Sequence, residues 1–250
     1  MKIDIREQQK IILGILKDVI EVCETNHITY YCQAGTVLGA IRHSGFIPWD
    51  GDADIIIPNN EIDYFCDCVI KQFPKYNVDY YKCDDKSFRL FPRIGLKEVK
   101  TKELHLDVFR LIGLPDGRNE QLEMIKEAKQ YTLENKMIRR PIYKMIFKLQ
   151  FKLLYNRIKD SKMYDKKFDE LCNRYPYEKA NYVMNPSGKY GEKNIFKKEV
   201  YGEGKIVKFE DIEVRIPSDV EPYLTQYYGD YMKTPSKEEI DKLMGKVVEI

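Results

Sequence analysis

Three aspartates at alternate positions, Asp50, Asp52 and Asp54, run directly into the β-branched stretch Ile55–Ile57. This stretch predicts a β-strand, in which successive side chains point to opposite faces and alternate residues share a face. Asp52 and Asp54 would therefore project from the same face, with their Cα atoms about 6.5 Å apart. Carboxylates held in this way suit hard divalent cations such as Mg²⁺ or Mn²⁺, which prefer oxygen ligands. The pattern indicates metal-assisted chemistry on a phosphate-containing group.

A calcium-binding EF-hand loop is the competing interpretation of these acids, because Glu61 is the twelfth residue counted from Asp50. Such a loop needs a sharp turn at its sixth residue, which glycine supplies. Here the sixth residue is Ile55, and no amphipathic helix precedes Asp50. The sequence therefore argues against a calcium loop.

A third carboxylate is expected from a neighbouring strand, and Asp107 in the segment His105–Leu111 is the best candidate. The residues around Asp107 are largely apolar, and burying an unpaired carboxylate would cost several kcal/mol. Asp107 must therefore have a partner. A metal shared with Asp52 and Asp54 and a structural salt bridge both satisfy that requirement.

The turn Gly35–Thr36 is the candidate phosphate contact. It lies between a predicted strand at 28–32 and a predicted short helix ending near Arg42. Glycine lets backbone N–H groups approach a phosphate without a Cβ in the way. Thr36 adds a hydroxyl and the positive end of the helix dipole.

The order of predicted elements indicates an α+β fold with a mixed sheet flanked by helices. An amphipathic helix is expected at 5–25, and Asn59 is a candidate cap for a helix at 60–72. Helices are predicted from 119 to 175 and a hairpin at 200–216, whose strands could rejoin the first sheet. We therefore divide the 250-residue chain into a catalytic core at 1–118 and a mainly helical part at 119–250.

Bulk properties predict a cytoplasmic protein. The amino terminus lacks the layout of a signal peptide, and no apolar run approaches the ~20 residues of a membrane span. The six cysteines show no metal-binding or disulfide spacing, so reduced thiols are expected. The net charge of +2 says nothing for nucleic acid, and no nucleic-acid-binding module is present, so no nucleic-acid partner is expected.

The stretch 136–167 contains 11 Lys or Arg against two acids, interleaved with bulky apolar residues. A basic amphipathic helix of this kind can lie on an anionic membrane surface. A solvated basic face above an ordinary core-facing stripe explains the same pattern equally well.

Three segments together resemble the LicD family of phosphotransferases, which belongs to the diverged DNA-polymerase-β-like nucleotidyltransferases. The first and most specific segment is Gly35–Asp54, with its Gly-Thr turn, Arg42-His43 pair and Pro-Trp-Asp-x-Asp-x-Asp run. The others are Leu106–Pro115, which contains Asp107, and Pro217–Pro235. The three occur in the family's order and span most of the chain.

The resemblance implies transfer of a phosphate-linked alcohol, phosphocholine by default, from a CDP-linked donor to a hydroxyl of a cell-surface glycan precursor, which could be lipid-linked. It makes Asp52, Asp54 and Asp107 the catalytic residues and, with Asp50, the ligands of Mg²⁺ or Mn²⁺. A nucleotidylyltransferase that releases pyrophosphate and a non-catalytic nucleotide- or membrane-binding relative are the alternatives.

Gly35, Thr36, Arg42, His43 and Trp49 become candidate substrate contacts in the same way. Arg42 could equally be a plain surface residue. His43 could pack beside the site, and Trp49 could anchor the aspartate loop in the core.

The sequence departs from the family pattern at four positions. Gly51 stands where an acidic residue is common, and Ala34 where glycine is common. Arg110 and Ile112 replace residues that are often Pro and Asp. None of these changes removes a presumed ligand, but they leave the identity of the donor open.

Overall fold

The computed structural model describes residues 2–84, 87, 89–99, 104–139, 161–243 and 248–249. Helices α1 to α8 are, in chain order, Ile5–Thr25, Gly35–His43, Ile62–Gln72, Arg118–Arg139, Ser161–Cys172, Lys198–Tyr201, Val220–Tyr228 and Lys237–Leu243. Strands β1 to β11 are Lys2–Ile3, Tyr31–Cys32, Ala53–Pro58, Tyr76–Asp79, Arg93–Leu96, His105–Leu114, Tyr182–Met184, Ile195–Lys197, Lys205–Phe209, Ile212–Ile216 and Val248–Glu249. The α+β class predicted from the sequence is confirmed.

Strand β6 is the centre of a mixed seven-stranded sheet with the order β2-β3-β6-β5-β4. It runs parallel to β3 on one side and antiparallel to β5 on the other. Its last residues pair with β7, which in turn pairs with β8. Because β6 is ten residues long, it can hold partners from both halves of the chain in one sheet.

The predicted hairpin is present as β9 and β10, but it does not rejoin the large sheet. It forms a two-stranded sheet of its own. The hairpin meets the first half of the chain through side chains, such as the edge-to-face contact of Phe46 with Phe209. Arg215 also donates its backbone N–H to the Tyr30 hydroxyl. Strands β7 and β8, which the sequence did not indicate, take the place expected for the hairpin.

Helix α1 begins with a capping box in which Asp4 accepts from the backbone N–H of Glu7 and Glu7 accepts from that of Asp4. This arrangement satisfies two donors that a helix start leaves free. The helix buries one apolar stripe, Ile12, Ile15, Leu16, Val19, Val22 and Cys23, against the sheet. The helix predicted at 5–25 is therefore confirmed.

Asn59 does not cap the helix that follows it, so this prediction is wrong. Its side chain donates to Cys172 O at 3.2 Å and accepts from Arg110 Nε at 2.7 Å. Arg110 is 2% exposed, and its Nη2 donates to Asp169 Oδ1 at 2.6 Å. A buried guanidinium needs such partners. Asn59 therefore accepts a hydrogen bond from Arg110 and does not accept one from the backbone at the start of α3.

Helices α4 and α5 agree with the helical pattern predicted for 119–175. Their apolar faces form a second core with the ends of β6 and β7, from Met124, Ile125, Ala128, Phe168, Leu171, Ile112 and Met184. Residues 140–160 lie outside the described residues, so the membrane-surface prediction for 136–167 falls largely there. Among the described helices, none combines the length and apolarity that a membrane span requires. The division near residue 118 stays a prediction.

All six cysteines are free thiols, and Cys83 alone among them is exposed. The expectation of unpaired thiols is therefore confirmed. Burial raises the pKa of the Cys172 thiol to about 11.

The ion pair of Arg110 with Asp169 yields a test of the packing between β6 and α5. Asp169→Ala should lower the free energy of unfolding by about 3 kcal/mol, because it leaves a buried guanidinium without its carboxylate. Chemical denaturation measures this loss, and Arg110→Met combined with Asp169→Ala should recover most of it.

Asp211→Ala serves as the control, because Asp211 pairs with Lys17 on the exposed surface of the hairpin. This substitution should leave the free energy of unfolding nearly unchanged, because an exposed ion pair contributes little to stability. Equal losses for the two single variants would contradict the role assigned to Arg110.

Candidate active site

A cleft of about 470 Å³ opens at the amino-terminal ends of β3 and β6, which run parallel. Its acidic wall consists of Asp50, Asp52, Asp54 and Asp107, with Gly35 beside them. The facing wall comes from the second half of the chain, from Asn185, Ser187, Gly188, Lys189, Tyr190, Asn194 and Tyr228. The structure therefore brings all four predicted acids to one cleft.

Asp54 and Asp107 are register partners on the parallel strands β3 and β6. Partners in adjacent strands lie about 4.8 Å apart, so their side chains share one face of the sheet. Asp52 precedes β3 by one residue and is exposed. Asp50 lies in the preceding turn, where its N–H donates to Ile47 O at 2.9 Å.

Two side chains of helix α1 bind the backbone of this turn. Gln8 Nε2 donates to Gly51 O at 2.7 Å, and Gln9 Nε2 donates to Asp50 O at 2.9 Å. A Cβ at position 51 would lie 2.5 Å from Gln8 Nε2, so a side chain there would require Gln8 to move and would disturb its hydrogen bond to Gly51 O.

The Gly35–Thr36 turn holds Asp54 from the other side. Thr36 Oγ1 accepts from Asp54 N at 2.8 Å, and Gln33 N donates to Asp54 O at 2.9 Å. A Cβ on Gly35 would lie 3.3 Å from Asp50 Oδ2. The turn thus positions the acids, and Thr36 is buried there. Its predicted contact with a donor phosphate stays a prediction.

The crowding of the acids changes their titration. Burial, followed by the charge of Asp52, raises the pKa of Asp50 to about 7. Burial and the charges of Asp52, Asp107 and Asp50 also raise the pKa of Asp54 well above its ordinary value. Carboxylates that repel one another in a half-buried cleft would be relieved by a cation.

Asp107 already has a counter-ion. Arg93, its register partner on β5, donates from Nε to Asp107 Oδ1 at 2.6 Å and from Nη2 to Oδ2 at 2.9 Å. His105 Nε2 lies 3.5 Å from the same Oδ1, and burial lowers the pKa of His105 to about 4. The salt-bridge interpretation of Asp107 is therefore present in the structure, whereas its role as a metal ligand stays a prediction.

The donor set fits a hard divalent cation by its chemistry, since Asp50, Asp52 and Asp54 are oxygen ligands beside one another. Within the described part of the chain, however, no three Asp, Glu, His or Cys side chains are arranged as a ready-made metal site. Ligation of a metal by Asp107 would require competition with Arg93.

Arg42, His43 and Trp49 are not among the residues that line the cleft. Arg42 Nη1 donates to Tyr231 O at 2.8 Å and to Lys233 O at 3.3 Å. Its guanidinium lies 5.9 Å from the Trp49 ring centroid, and His43 contacts the same ring edge-on. The structure places these three together as an anchor for the segment after α7. Their predicted contacts with substrate stay predictions.

Sequence reasoning missed most of the facing wall and the basic residues of the cleft. Residues 185–194 lay in a stretch that carried no family signature, although Asn185-Pro186-Ser187-Gly188 is a typical turn sequence. Arg93 reaches the site because β5 pairs with β6 beside Asp107, and no local signal in the sequence indicates that pairing. Tyr228 lies in the carboxy-terminal segment that carried the resemblance.

Ala34 has φ +44° and ψ −107°, a backbone conformation that favours glycine. Ala34→Gly should therefore raise the free energy of unfolding by about 1 kcal/mol, because relief of strain exceeds the extra chain entropy of glycine. A rise of about 3 °C in Tm is the expected readout. Ala40→Gly within α2 is the matched control and should lower Tm instead.

The pKa of Asp50 yields a prediction for stability against pH. The folded chain holds a proton on Asp50 up to about pH 7, whereas the unfolded chain releases it near pH 4. Stability should therefore fall between about pH 4 and pH 7 in the absence of divalent metal. Asp50→Asn should remove up to about 4 kcal/mol of that fall, the value of roughly three pKa units.

Urea unfolding at pH 5, 6, 7 and 8 in the presence of a chelator measures the difference. Asp67→Asn on the exposed side of α3 is the control and should keep the wild-type profile. Parallel profiles for Asp50→Asn and the wild type would show that Asp50 is not under electrostatic strain.

Comparison with known proteins agrees with this geometry. The family described as LicD/FKTN/FKRP, nucleotidyltransferase domain, matches residues 27–153. The lipopolysaccharide cholinephosphotransferase LicD of Haemophilus influenzae is 28% identical over 252 residues, covering 95% of each chain. An uncharacterised protein of Rickettsia typhi is 36% identical over 98 residues, which is 37% of this chain and 30% of that one. Because the family match covers half of the chain and includes all four aspartates, the protein belongs to the LicD/FKTN/FKRP family.

Proposed function

We propose that the protein transfers a phosphorylated alcohol, phosphocholine by default, from a CDP-linked donor to a hydroxyl group of a cell-surface glycan. The similarity over nearly the whole chain to a relative named as a lipopolysaccharide cholinephosphotransferase supports this reaction. The acceptor would be a lipopolysaccharide or teichoic-acid precursor.

The observation that carries the proposal is the convergence of four carboxylates on one cleft that is large enough for a small ligand. Burial, together with the charges of the neighbouring carboxylates, raises the pKa values of Asp50 and Asp54. An acidic cleft of this kind does not attract a diphosphate by itself. It does so once a cation has bound, and we therefore assign Asp52 and Asp54 as the ligands of Mg²⁺ or Mn²⁺, with Asp50 and Asp107 completing the set.

The bound metal would supply charge neutralisation for the diphosphate and for the developing charge on the leaving group. The residues of the chain would orient the donor and remove water from the reacting atoms. The acceptor hydroxyl would lose its proton to a cleft aspartate or to water as its oxygen attacks the phosphorus. One P–O bond to the acceptor forms in line with the P–O bond that breaks, and CMP leaves with the electron pair of that bond.

A lipid-linked glycan would require the protein to work at a membrane surface, and the basic stretch 136–167 is the segment that we propose for contact with anionic lipid. We propose a cytoplasmic location at the inner face of the membrane, where CDP-linked donors would be available.

A second candidate is a nucleotidylyltransferase, which would transfer a nucleotide and release pyrophosphate. The matching family is described as a nucleotidyltransferase domain, which supports this second candidate. The two reactions differ in their leaving product, CMP in the first and pyrophosphate in the second. Chromatography of the products from CDP-choline, CDP-ethanolamine, CDP-ribitol, UTP and ATP with Mg²⁺ distinguishes them.

Asp52→Asn and Asp54→Asn should each reduce CMP release from CDP-choline by about 10²-fold or more, because each removes a charge that would hold the metal. Both variants should stay folded, since neither side chain belongs to the apolar core. Asp67→Asn, which removes one exposed carboxylate outside the cleft, should retain wild-type turnover.

Calorimetric titration with Mg²⁺ or Mn²⁺ provides the second readout, in which Asp52→Asn and Asp54→Asn should weaken metal binding. Substantial CMP release by either variant would refute the metal assignment. A wild-type protein that binds neither cation would favour a non-catalytic relative.

A further inference from the structure

Three basic side chains line the described part of the cleft, and two of them are already paired. Arg93 binds Asp107 through both of its carboxylate oxygens. Arg89 forms an ion pair with Asp79 at the edge of the cleft. Lys189 lines the same cleft without an ion pair to any described carboxylate. It is therefore the basic group that can bind an incoming anion without first breaking a salt bridge.

Lys189 lies close enough to the acids to act on them without contacting them. Its charge lowers the pKa values of both Asp50 and Asp54, opposing the rise caused by burial and mutual repulsion. Its Nζ lies 5.5 Å from the centroid of the Tyr190 ring, within cation–π range. The ammonium thus lies beside the Tyr190 ring in the same cleft as the aspartates and within electrostatic reach of them.

The loop that carries Lys189 is held by one buried amide. Asn194 is 3% exposed, and its Nδ2 donates to Gly188 O at 3.2 Å and to Gly191 O at 3.1 Å. A Cβ at Gly188 would lie 2.6 Å from Asn194 Oδ1. These contacts bracket Lys189 on both sides in sequence, so the loop presents a defined backbone.

The same amide connects the loop with the Gly-Thr turn across the cleft. Tyr227 donates its hydroxyl to Asn194 Oδ1 at 3.2 Å and accepts from Gln33 Nε2 at 3.1 Å. Tyr223 donates to Gln33 Oε1 at 2.8 Å and accepts from the N–H of Ala34 at 2.9 Å. The position of Lys189 is therefore tied through buried hydrogen bonds to the turn that positions Asp54.

We propose that Lys189 binds a phosphate oxygen of the donor diphosphate, and that Asn194 is a positioning residue that acts through the 185–191 loop. This inference rests on the proposed function, since it assumes a phosphate-containing donor. Four carboxylates face three basic groups in the cleft, so an anionic donor needs both a cation and an unpaired ammonium. Lys189 has three N–H donors for this purpose.

Lys189→Met tests the contact, because it keeps the length of the side chain and removes its charge. With Mg²⁺ present, it should weaken binding of CDP-choline, CMP and inorganic pyrophosphate about tenfold to hundredfold, and leave binding of cytidine unchanged. Lys189→Arg should recover most of the affinity. Lys197→Met, an exposed lysine outside the cleft, should behave as the wild type.

Equal weakening of cytidine and CMP by Lys189→Met, or unchanged binding of all phosphate-containing probes, would overturn the assignment. Binding of no probe by the wild type would overturn it as well. If the wild type instead binds ATP or UTP and releases pyrophosphate, the proposed donor is wrong. The effect of Lys189→Met on that nucleotide then still decides the role of Lys189.

Asn194→Ala separates positioning from stability. It should raise the KM for CDP-choline by a factor similar to that of Lys189→Met, while the double variant should be no worse than Lys189→Met alone. Thermal unfolding confirms that each variant is folded at the assay temperature. Additive losses in the double variant would show that Asn194 does not act through Lys189 and would overturn its assignment as a positioning residue.

Discussion

The parallel pairing of β3 with β6 sets Asp54 beside Asp107 and thereby places two carboxylates next to each other near the amino-terminal ends of these strands. The surrounding structure opposes that repulsion with fixed hydrogen bonds. Thr36 and Gln33 bind the backbone of Asp54, while Gln8 and Gln9 bind the turn that contains Asp50. These contacts are made to the backbone, so they do not occupy the carboxylate oxygens of Asp50 and Asp54. The fold therefore holds the cleft aspartates close together although their negative charges repel one another.

The carboxy-terminal segment contributes to the site mainly through hydrogen bonds that hold other parts of the cleft in place. Tyr223 and Tyr227 of α7 are buried, and their hydroxyls connect the Gly-Thr turn with the loop that carries Lys189. Burying these hydroxyls would be costly without partners, but each one both donates and accepts a hydrogen bond. The network therefore specifies the distance between the two walls of the cleft. It gives a physical reason for the joint occurrence of the amino- and carboxy-terminal motifs in one chain.

Local patterns in the sequence were reliable where a single element decides the outcome. The apolar stripe of 5–25, the Gly-Thr turn and the aspartates before Ile55–Ile57 all form the elements that they predicted. Pairings between distant elements were not accessible. Nothing in Tyr182–Met184 indicates that it adds to β6, and nothing in the hairpin indicates that it stays apart. Asn59 fits a helix cap locally, but the buried charge of Arg110 outweighs a single capping bond.

The sequence by itself determined the chemical character of the site, because alternate residues on a strand must share a face and carboxylates in that arrangement favour a hard cation. Only the tertiary structure decided which groups meet those acids. It pairs Asp107 with Arg93, binds Arg42 to the segment after α7, and brings Lys189 into the same cleft as the aspartates. These outcomes depend on contacts between residues far apart in the chain. Such contacts are set by packing of the whole sheet and its helices, and no local periodicity encodes them.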